Sequence, residues 1–239
     1  MTTRKSRAIR IMGSICLIAT GTILFGNDLL RAIESPEPSE SVGTVSSGSL
    51  VNGKRFPTSG PNFRTHSRIT SVLGRNSVHS TVRDICLDAY AALEATTISQ
   101  SFVYGEAGWP SGGPFSPHKT HQNGLAVDFM VPVLDVDSNS PRRLPTHPFN
   151  LAGYALDFDQ SGGRGSMRLD FDAIAAHVLA LNDAAKLQGA TIKLVIFAPD
   201  LQDEFFAAGQ GHELKRAVKF NSNQAWVRHD EHYHVVFGL

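Results

Sequence analysis

Two short segments of this sequence concentrate residues that can bind metals or transfer protons. They are HKTHQNGLAVDF at 118–129 and HDEHYHVVF at 229–237, and together they hold five of the ten histidines. Residues two apart on a strand point to the same side, so His232 and His234 are expected to share a face. Two adjacent imidazoles are useful when one binds a metal and the other stays free as an acid or base. The second segment therefore predicts a metal or proton-transfer site.

The first segment places a carboxylate where it needs a partner. Asp128 lies in the apolar run LAVDFMVPV, and a lone carboxylate in a buried strand is costly unless it is paired or bound to a metal. His121 lies seven residues before Asp128, and Gly124 allows the loop between them to fold back. One histidine and one aspartate from this segment, with one histidine from 229–237, would supply three ligands. A fourth position is then left for water, as in a catalytic zinc site, and the absence of cysteine ligands disfavours a structural one.

The other five histidines are scattered, and we interpret each of them as a core or surface residue. They are His66, His79, His147, His177 and His212. Glu106 is a weaker candidate for the site, and we expect an exposed loop carboxylate there.

The elements that must position the two segments alternate between helix and strand patterns. Apolar residues recur at helical spacing in two stretches, 78–95 and 170–188. Apolar runs predict three strands, at 125–133, 193–199 and 226–237. Gly189 predicts a helix end, and Asp200 is placed to cap a short helix. Together with long glycine-rich loops, these patterns indicate an α+β fold with a mainly antiparallel central sheet, flanking helices and the zinc site on the sheet.

The N-terminus has the pattern of an export signal. Four cations precede the uncharged stretch 11–26, and they are Arg4, Lys5, Arg7 and Arg10. The 16 residues of that stretch lie between the length of a signal peptide core and the roughly 20 residues that span a bilayer. We interpret residues 1–26 as a signal peptide or an uncleaved inner-membrane anchor. The protein is then expected to work in the periplasm.

Composition divides the rest of the chain in two. Residues 27–60 are rich in serine, proline, glycine and glutamate and predict a flexible linker, whereas 61–239 predict the folded domain. The formal net charge of zero gives no reason to expect a nucleic-acid partner. The two cysteines, Cys16 and Cys86, cannot build a disulfide framework, and no intrachain bridge is expected. The oligomeric state is not predicted by any pattern.

The spacing of the two histidine segments resembles that of a group of zinc peptidases. H-x6-D followed by a distant H-x-H is typical of peptidases related to the lysostaphin type and the D-Ala-D-Ala type. HKTHQNGLAVDF and HDEHYHV resemble the two motifs of the penicillin-insensitive murein endopeptidase family. The stretches GEAGWPSGGPF at 105–115 and IFAPDLQDEF at 196–205 are similar to its connecting segments. The resemblance covers roughly residues 100–239, and we identify none of it in the first hundred.

This resemblance implies roles for individual residues. His121, Asp128 and His234 would bind Zn²⁺, and His232 would act on the zinc-bound water or the developing oxyanion. Two further histidines would lie in the cleft, His118 as a substrate-binding residue and His229 as part of the catalytic group. The implied activity is cleavage of D-Ala–meso-diaminopimelate cross-links in peptidoglycan, so the implied partners are peptidoglycan stem peptides.

Two residues compete for the role of general base. The D-Ala-D-Ala branch uses a glutamate three residues before the last ligand, and Glu231 occupies that position here. A regular strand would point Glu231 away from His234, and only a bulge would bring it round. We therefore favour His232, which shares a face with His234. Otherwise Glu231 or Asp230 would serve to orient a ligand.

Two other functions are compatible with these residues. One is a D,D-carboxypeptidase that trims terminal D-Ala, which requires a cleft closed at one end. The other is a non-catalytic, zinc-stabilised wall-binding module, in which His232 or His118 would close the fourth coordination position. The sequence does not separate the carboxypeptidase from the murein endopeptidase, whereas His232 beside a complete set of three ligands argues against the wall-binding module.

Overall fold

The structure is a computed structural model that describes residues 2–96 and 101–239, with the backbone alone for residues 2–11, 13 and 15. Its helices are α1 (Thr2–Ala32), α2 (Arg68–Leu73), α3 (Ser80–Glu94), α4 (Phe171–Leu187), α5 (Gln202–Ala207) and α6 (Gly211–Ala217), with 3-10 turns at Pro148–Gly153 and Pro199–Leu201. Its strands are β1 (Glu40–Thr44), β2 (Ser47–Val51), β3 (Lys54–Arg55), β4 (Phe63–Thr65), β5 (Ser77–Val78), β6 (Phe102–Tyr104), β7 (Ala126–Met130), β8 (Val133–Asp135), β9 (Pro141–Arg142), β10 (Gly163–Arg164), β11 (Met167–Leu169), β12 (Thr191–Ile196) and β13 (His232–Gly238).

The central sheet has five strands in the order β12-β13-β7-β6-β4. Its strand pairs are antiparallel except for β4 and β6, which run parallel. A second sheet of four short strands, in the order β10-β11-β8-β9, lies in the segment between β7 and α4. The predicted α+β class with a mainly antiparallel central sheet is confirmed.

Helices α3 and α4 pack against each other and form much of the core. The apolar face predicted for 78–95 is buried in α3, with Val82, Ile85 and Leu93 inside. The Asp170 side chain accepts a hydrogen bond of 3.0 Å from the Ala173 N–H, which caps α4 at its start. The two helices were therefore readable from local periodicity.

The short helix after β12 differs from the expectation. Asp200 lies inside the 3-10 turn, and Leu201 precedes α5 without a side-chain cap. The Asp200 carboxylate instead forms an ion pair of 2.7 Å with Arg228. This interaction joins the 3-10 turn to the segment that leads into β13. A charged partner binds the carboxylate more strongly than the N–H groups of a local cap would.

Residues 27–60 are ordered structure, where composition predicts a flexible linker. The end of α1, the β1–β2 hairpin and β3 lie in this stretch. Leu50 and Phe56 are buried, and the Leu50 N–H donates to the Ser111 carbonyl at 2.9 Å. Ser41 also donates to the Asn123 carbonyl at 2.7 Å. The composition rule fails because two large apolar residues and tertiary hydrogen bonds are enough to order a hairpin against a neighbouring loop.

Helix α1 covers the predicted signal or anchor segment. Its last part contacts α2, and the buried Asn27 side chain donates to the Phe56 carbonyl at 3.0 Å. Within the described residues, no helix combines the length and apolar character that crossing a membrane requires. The side chains of the four N-terminal cations lie outside the described residues, and the signal or anchor remains a prediction.

Candidate metal and catalytic site

The pairing of β13 with β7 brings the two histidine segments together. His234 lies directly opposite Asp128 in the register, and its Nδ1 is 2.7 Å from Asp128 Oδ1. Directly opposite residues of an antiparallel pair point to the same face. Two residues more than a hundred positions apart therefore meet at one point of the sheet.

His121 reaches the same carboxylate from the loop before β7, where its φ of 72° is in the left-handed region. Its Nδ1 faces the carbonyls of Ala107 at 3.0 Å and Ala126 at 3.2 Å. Carbonyls only accept, so Nδ1 carries a hydrogen, and the lone pair of a neutral ring would lie at Nε2. That Nε2 is buried, has no hydrogen-bond partner among the described residues, and lies 3.3 Å from Asp128 Oδ1. A cation between Nε2 and the carboxylate oxygen, either a proton on the ring or a metal ion, satisfies both atoms, so this donor set fits a metal ion.

A further histidine lies within reach of the same centre. His118 Nδ1 is 3.6 Å from Asp128 Oδ2. Donor atoms of His118, His121 and Asp128 lie within 4.8 Å of one another, and this cluster could hold a metal ion. The family resemblance predicts His118 as a substrate-binding residue, and the structure places it beside the predicted ligands.

Asp128 remains ionised despite its complete burial. Burial alone would raise the pKa of the carboxyl, but the His121 and His232 imidazoles and hydrogen bonds hold it well below its ordinary value. The Tyr154 hydroxyl donates to Oδ2 at 2.9 Å. The carboxylate is thus the common partner of every group in the centre.

His232 and Glu231 form a pair at the wall beside Asp128. His232 Nδ1 is 2.9 Å from Glu231 Oε1, and its Nε2 is 3.9 Å from Asp128 Oδ2. Burial would lower the pKa of His232, yet the carboxylates of Asp128 and Glu231 raise it above its ordinary value. Burial would raise the pKa of Glu231, but its hydrogen bond with His232 lowers it. The pair therefore combines a basic imidazole with an ionised carboxylate.

The position of Glu231 corrects the strand geometry that we expected. The terminal strand begins at His232 rather than at 226, and residues 230 and 231 form a bend. Glu231 consequently lines the same cavity as His232 and His234 instead of pointing away. Tyr233 takes the opposite face, as the alternation within the strand predicts.

The bend also determines where His229 and Asp230 lie. His229 has a φ of 58°, and its ring centre is 4.6 Å from that of His232. Burial lowers the pKa of His229 to about 4. Asp230 accepts hydrogen bonds from the Phe158 N–H at 2.6 Å and from Arg228 at 2.8 Å. His229 thus belongs to the cavity wall, whereas Asp230 anchors the bend to the adjacent loop.

These side chains surround a cavity of about 440 Å³. Six of the seven predicted site residues line it, and the seventh, His121, lies buried behind Asp128. Trp226 and Leu151 are 51% and 68% exposed and form apolar parts of the same wall. We refer to this space as the catalytic cavity.

The structure adds Arg75 and Tyr154 to the site and corrects the expected exposure of Glu106. Glu106, expected to be an exposed carboxylate, is only 5% exposed, and its two oxygens share the single N–H of Arg75 Nε, at 2.8 and 2.6 Å. The Arg75 guanidinium lies 4.0 Å from the Phe115 ring centre. Tyr154 links this pair to the centre, because its hydroxyl accepts from the Glu106 N–H at 2.8 Å and donates to Asp128. Arg75 and Tyr154 carry no motif and are remote from both histidine segments, so no sequence signal pointed to them.

The scattered histidines lie where a core or surface interpretation places them. His177 is in the core, His79 precedes α3 and accepts from the Thr81 N–H at 3.2 Å, and His147 and His212 are exposed. His66 is buried next to the site, with Nε2 3.7 Å from Glu106 Oε1.

Comparison with known proteins addresses the first part of the chain. No curated protein matches the sequence. A family match begins at residue 41, well before the segment in which we identified a resemblance, and it ends at residue 151, before the second histidine motif. It includes the β1–β2 hairpin, which agrees with the ordered structure there. Over residues 41–151 the chain matches the family of penicillin-insensitive murein endopeptidases, which confirms the family that its motifs predict and supports a peptidase acting on peptidoglycan.

Proposed function

We propose that this protein is a zinc-dependent murein endopeptidase that hydrolyses D-Ala–meso-diaminopimelate cross-links in peptidoglycan. The observation that carries the proposal is the buried, unpartnered His121 Nε2 facing Asp128, with His234 on the same carboxylate. This donor set lies against a cavity large enough for part of a peptide. The basic, apolar N-terminal segment supports export to the periplasm, where this substrate is found.

His121, Asp128 and His234 would hold the zinc ion. When bound, zinc lowers the pKa of its water towards about 7 and polarises the scissile carbonyl. The protein's own contribution begins with orientation of these ligands. The Ala107 and Ala126 carbonyls fix the His121 ring, and the Tyr154 hydroxyl orients the Asp128 carboxylate.

His232 would take up the proton during attack. Glu231 accepts a hydrogen bond from His232 Nδ1, which leaves the lone pair at Nε2, on the side of Asp128. The negative charges of Glu231 and Asp128 stabilise the imidazolium that forms. Glu231 then acts as a positioning residue, and this division of roles supports His232 as the base.

One observation favours a second candidate function. The His118 nitrogen lies close enough to His121 and Asp128 to share a metal ion with them. With His234 as well, four protein donors would surround the ion, as in a closed structural site. The protein would then be a zinc-stabilised wall-binding module without turnover.

Digestion of purified peptidoglycan separates these functions. The protein is incubated with cross-linked peptidoglycan with and without a chelator, and the fragments are identified by mass spectrometry. The endopeptidase converts cross-linked dimers to monomers, and chelation abolishes the conversion. A His121→Gln variant serves as the inactive control.

The other outcomes contradict the proposal in different ways. Loss of a terminal alanine alone would indicate a D,D-carboxypeptidase. Unchanged fragments together with about one bound zinc per chain would indicate the wall-binding module. Cleavage that persists in the chelator and in His121→Gln would refute the metal centre.

A further inference from the structure

A second, smaller cavity of about 300 Å³ lies beyond the metal centre and is lined by three arginines. Arg64 belongs to β4, Arg68 begins α2, and Arg143 follows β9. Four hydroxyl-bearing residues, including Thr146, and His66 form the rest of its wall. We call this cavity the arginine pocket.

The three guanidinium groups have no carboxylate partner in the described part of the chain. Arg64 donates to the Thr146 hydroxyl at 2.9 Å and to the Leu144 carbonyl at 3.0 Å. Arg68 donates to the Leu24 carbonyl at 3.0 Å and to a threonine hydroxyl. All of these acceptors are neutral, whereas Arg75 at the catalytic cavity is paired with a carboxylate. The positive charge of the arginine pocket is therefore uncompensated.

Arg64 carries the clearest sign of a missing ligand. Its Nε is buried and has no hydrogen-bond partner among the described residues. Burial, together with the nearby Arg143, lowers the pKa of Arg64 to about 10. Such crowding of like charges is unfavourable unless an anion joins them. A planar guanidinium with a free N–H is suited to bind a carboxylate.

An intermediate cavity lies between the arginine pocket and the catalytic cavity and shares wall residues with both. An intermediate cavity of about 440 Å³ includes Arg68 and Thr146, which also line the arginine pocket. The same intermediate cavity includes Leu151 and Tyr154, which also line the catalytic cavity. An extended ligand could therefore contact both ends.

The sheet register sets the distance between these ends. His232, Met130, Val103 and Arg64 lie opposite one another on β13, β7, β6 and β4. Three inter-strand steps of about 4.8 Å place the Arg64 backbone about 14 Å from that of His232. An extended peptide covers that distance with about four residues.

We propose that the arginine pocket binds a free carboxylate of the peptidoglycan peptide, about four residues from the scissile bond. This inference rests on the proposed function and deepens it, because it assigns an anionic peptide as the substrate. A binding site so far from the metal centre also suits a cross-linked dimer, which extends on both sides of the cleaved bond, better than a substrate that ends there.

The test compares two substrates and three variants. The substrates are a cross-linked muropeptide dimer and the same dimer with its carboxylates converted to amides. The variants are Arg143→Gln, Arg64→Lys and, as a control, Arg216→Gln, which removes an exposed arginine of α6 outside the pocket. Arg143 is exposed, so its replacement leaves the core intact, and Arg64→Lys keeps the charge but loses the guanidinium fork.

For the unmodified dimer, Arg143→Gln and Arg64→Lys should each raise KM about tenfold with kcat unchanged, and Arg216→Gln should change neither. Amidation should raise the KM of the wild type by a similar factor and have little further effect in Arg143→Gln. Equal KM values for wild type and both pocket variants would overturn the inference. Competition by inorganic phosphate, with no effect of amidation, would also overturn it in favour of a phosphate ligand.

Binding measurements separate this inference from the proposed function. The Kd of a fluorescent dimer is measured in the His121→Gln background, with and without Arg143→Gln. One result is that the wild type does not cleave the dimer, while Arg143→Gln weakens binding of the dimer about tenfold. The proposed hydrolase function is then refuted, and the inference about the arginine pocket is supported. The opposite result is that the wild type cleaves the dimer, while the pocket variants change neither KM nor Kd. The inference about the arginine pocket is then refuted, and the proposed hydrolase function is supported.

Discussion

Histidine side chains lie on both faces of β13, and their chemical surroundings differ. On one face His232 and His234 meet the carboxylates of Asp128 and Glu231. On the other face Tyr233 hydrogen-bonds to Nδ1 of the core residue His177. The His177 ring packs against aromatic rings and contacts no carboxylate among the described residues.

The difference shows what burial does to an imidazole and what a carboxylate adds. Burial lowers the pKa of His177 to about 3, so that ring stays neutral and serves the core. His232 is equally buried, yet its carboxylate neighbours raise its pKa. A buried histidine therefore becomes chemically useful when an anion shares its pocket.

Removing the Asp128 charge should leave the histidines on the cavity side of β13 without the carboxylate that distinguishes them from His177 on the core side. Asp128→Asn keeps the size of the side chain but removes the charge that His121 and His234 share. We expect bound zinc to fall from about one per chain towards none and activity to fall more than about 10³-fold. Metal analysis and the dimer cleavage assay check both effects. Asp135→Asn, in β8 outside the cavity, is the matched control, and retention of zinc by Asp128→Asn would refute the ligand assignment.

Separating the two members of the His232–Glu231 pair tests which one handles the proton. His232→Gln should lower kcat by about 10²–10⁴-fold while zinc stays bound. Glu231→Gln should cost about tenfold, because it removes only the stabilisation of the imidazolium. Steady-state kinetics with metal analysis distinguish the two. The reverse order of effects would make Glu231 the base.

The buried His177, on the core side of β13, should make the free energy of unfolding sensitive to acid. The pKa of His177 is lower in the folded state, about 3, than in the unfolded chain, about 6.5. Its contribution to stability is complete above pH 6.5 and is lost as the pH falls below it, by about 1.4 kcal/mol per pH unit. His177→Gln should therefore show a shallower loss of unfolding free energy between pH 6.5 and 4.5, by about 2–3 kcal/mol in total. Urea unfolding at several pH values measures this, and parallel curves for both proteins would contradict it.

The smallest effect is expected from the hydroxyl that orients the carboxylate. Tyr154→Phe removes a donor to Asp128 Oδ2 and an acceptor for the Glu106 N–H. We expect kcat/KM to fall about tenfold with zinc content unchanged, because the ligand remains but its orientation loosens. An unchanged kcat/KM would show that the paired strands alone position Asp128.

The parts of the fold that could be predicted are those with a local periodic signal. Helices α3 and α4 and the buried strand β7 follow from the spacing of apolar residues. The segment 27–60 could not be predicted, since its hairpin depends on contacts with residues such as Ser111 and Asn123. Composition reports how much apolar surface a segment carries, and it does not report the partners that order it.

The residues of the site also divide into those that the sequence predicts and those that depend on tertiary contacts. The seven predicted residues meet around one centre because they belong to two compact motifs. No sequence pattern points to Arg75 and Tyr154 because each stands alone in the sequence, and the burial of Glu106 depends on its contact with Arg75. Strand alternation does not predict the direction of the Glu231 side chain, because a bend replaces the first residues of the expected strand.

The sequence by itself determined the chemistry of this protein: which histidines and carboxylates are present, their spacing, and the family that they indicate. Only the tertiary structure decided the pairing of β13 with β7, which places His234 opposite Asp128. It also decided the convergence of Arg64, Arg68 and Arg143 on a single pocket. The physical reason is that strand pairing and pocket formation depend on packing between distant segments, which no local pattern of residues encodes.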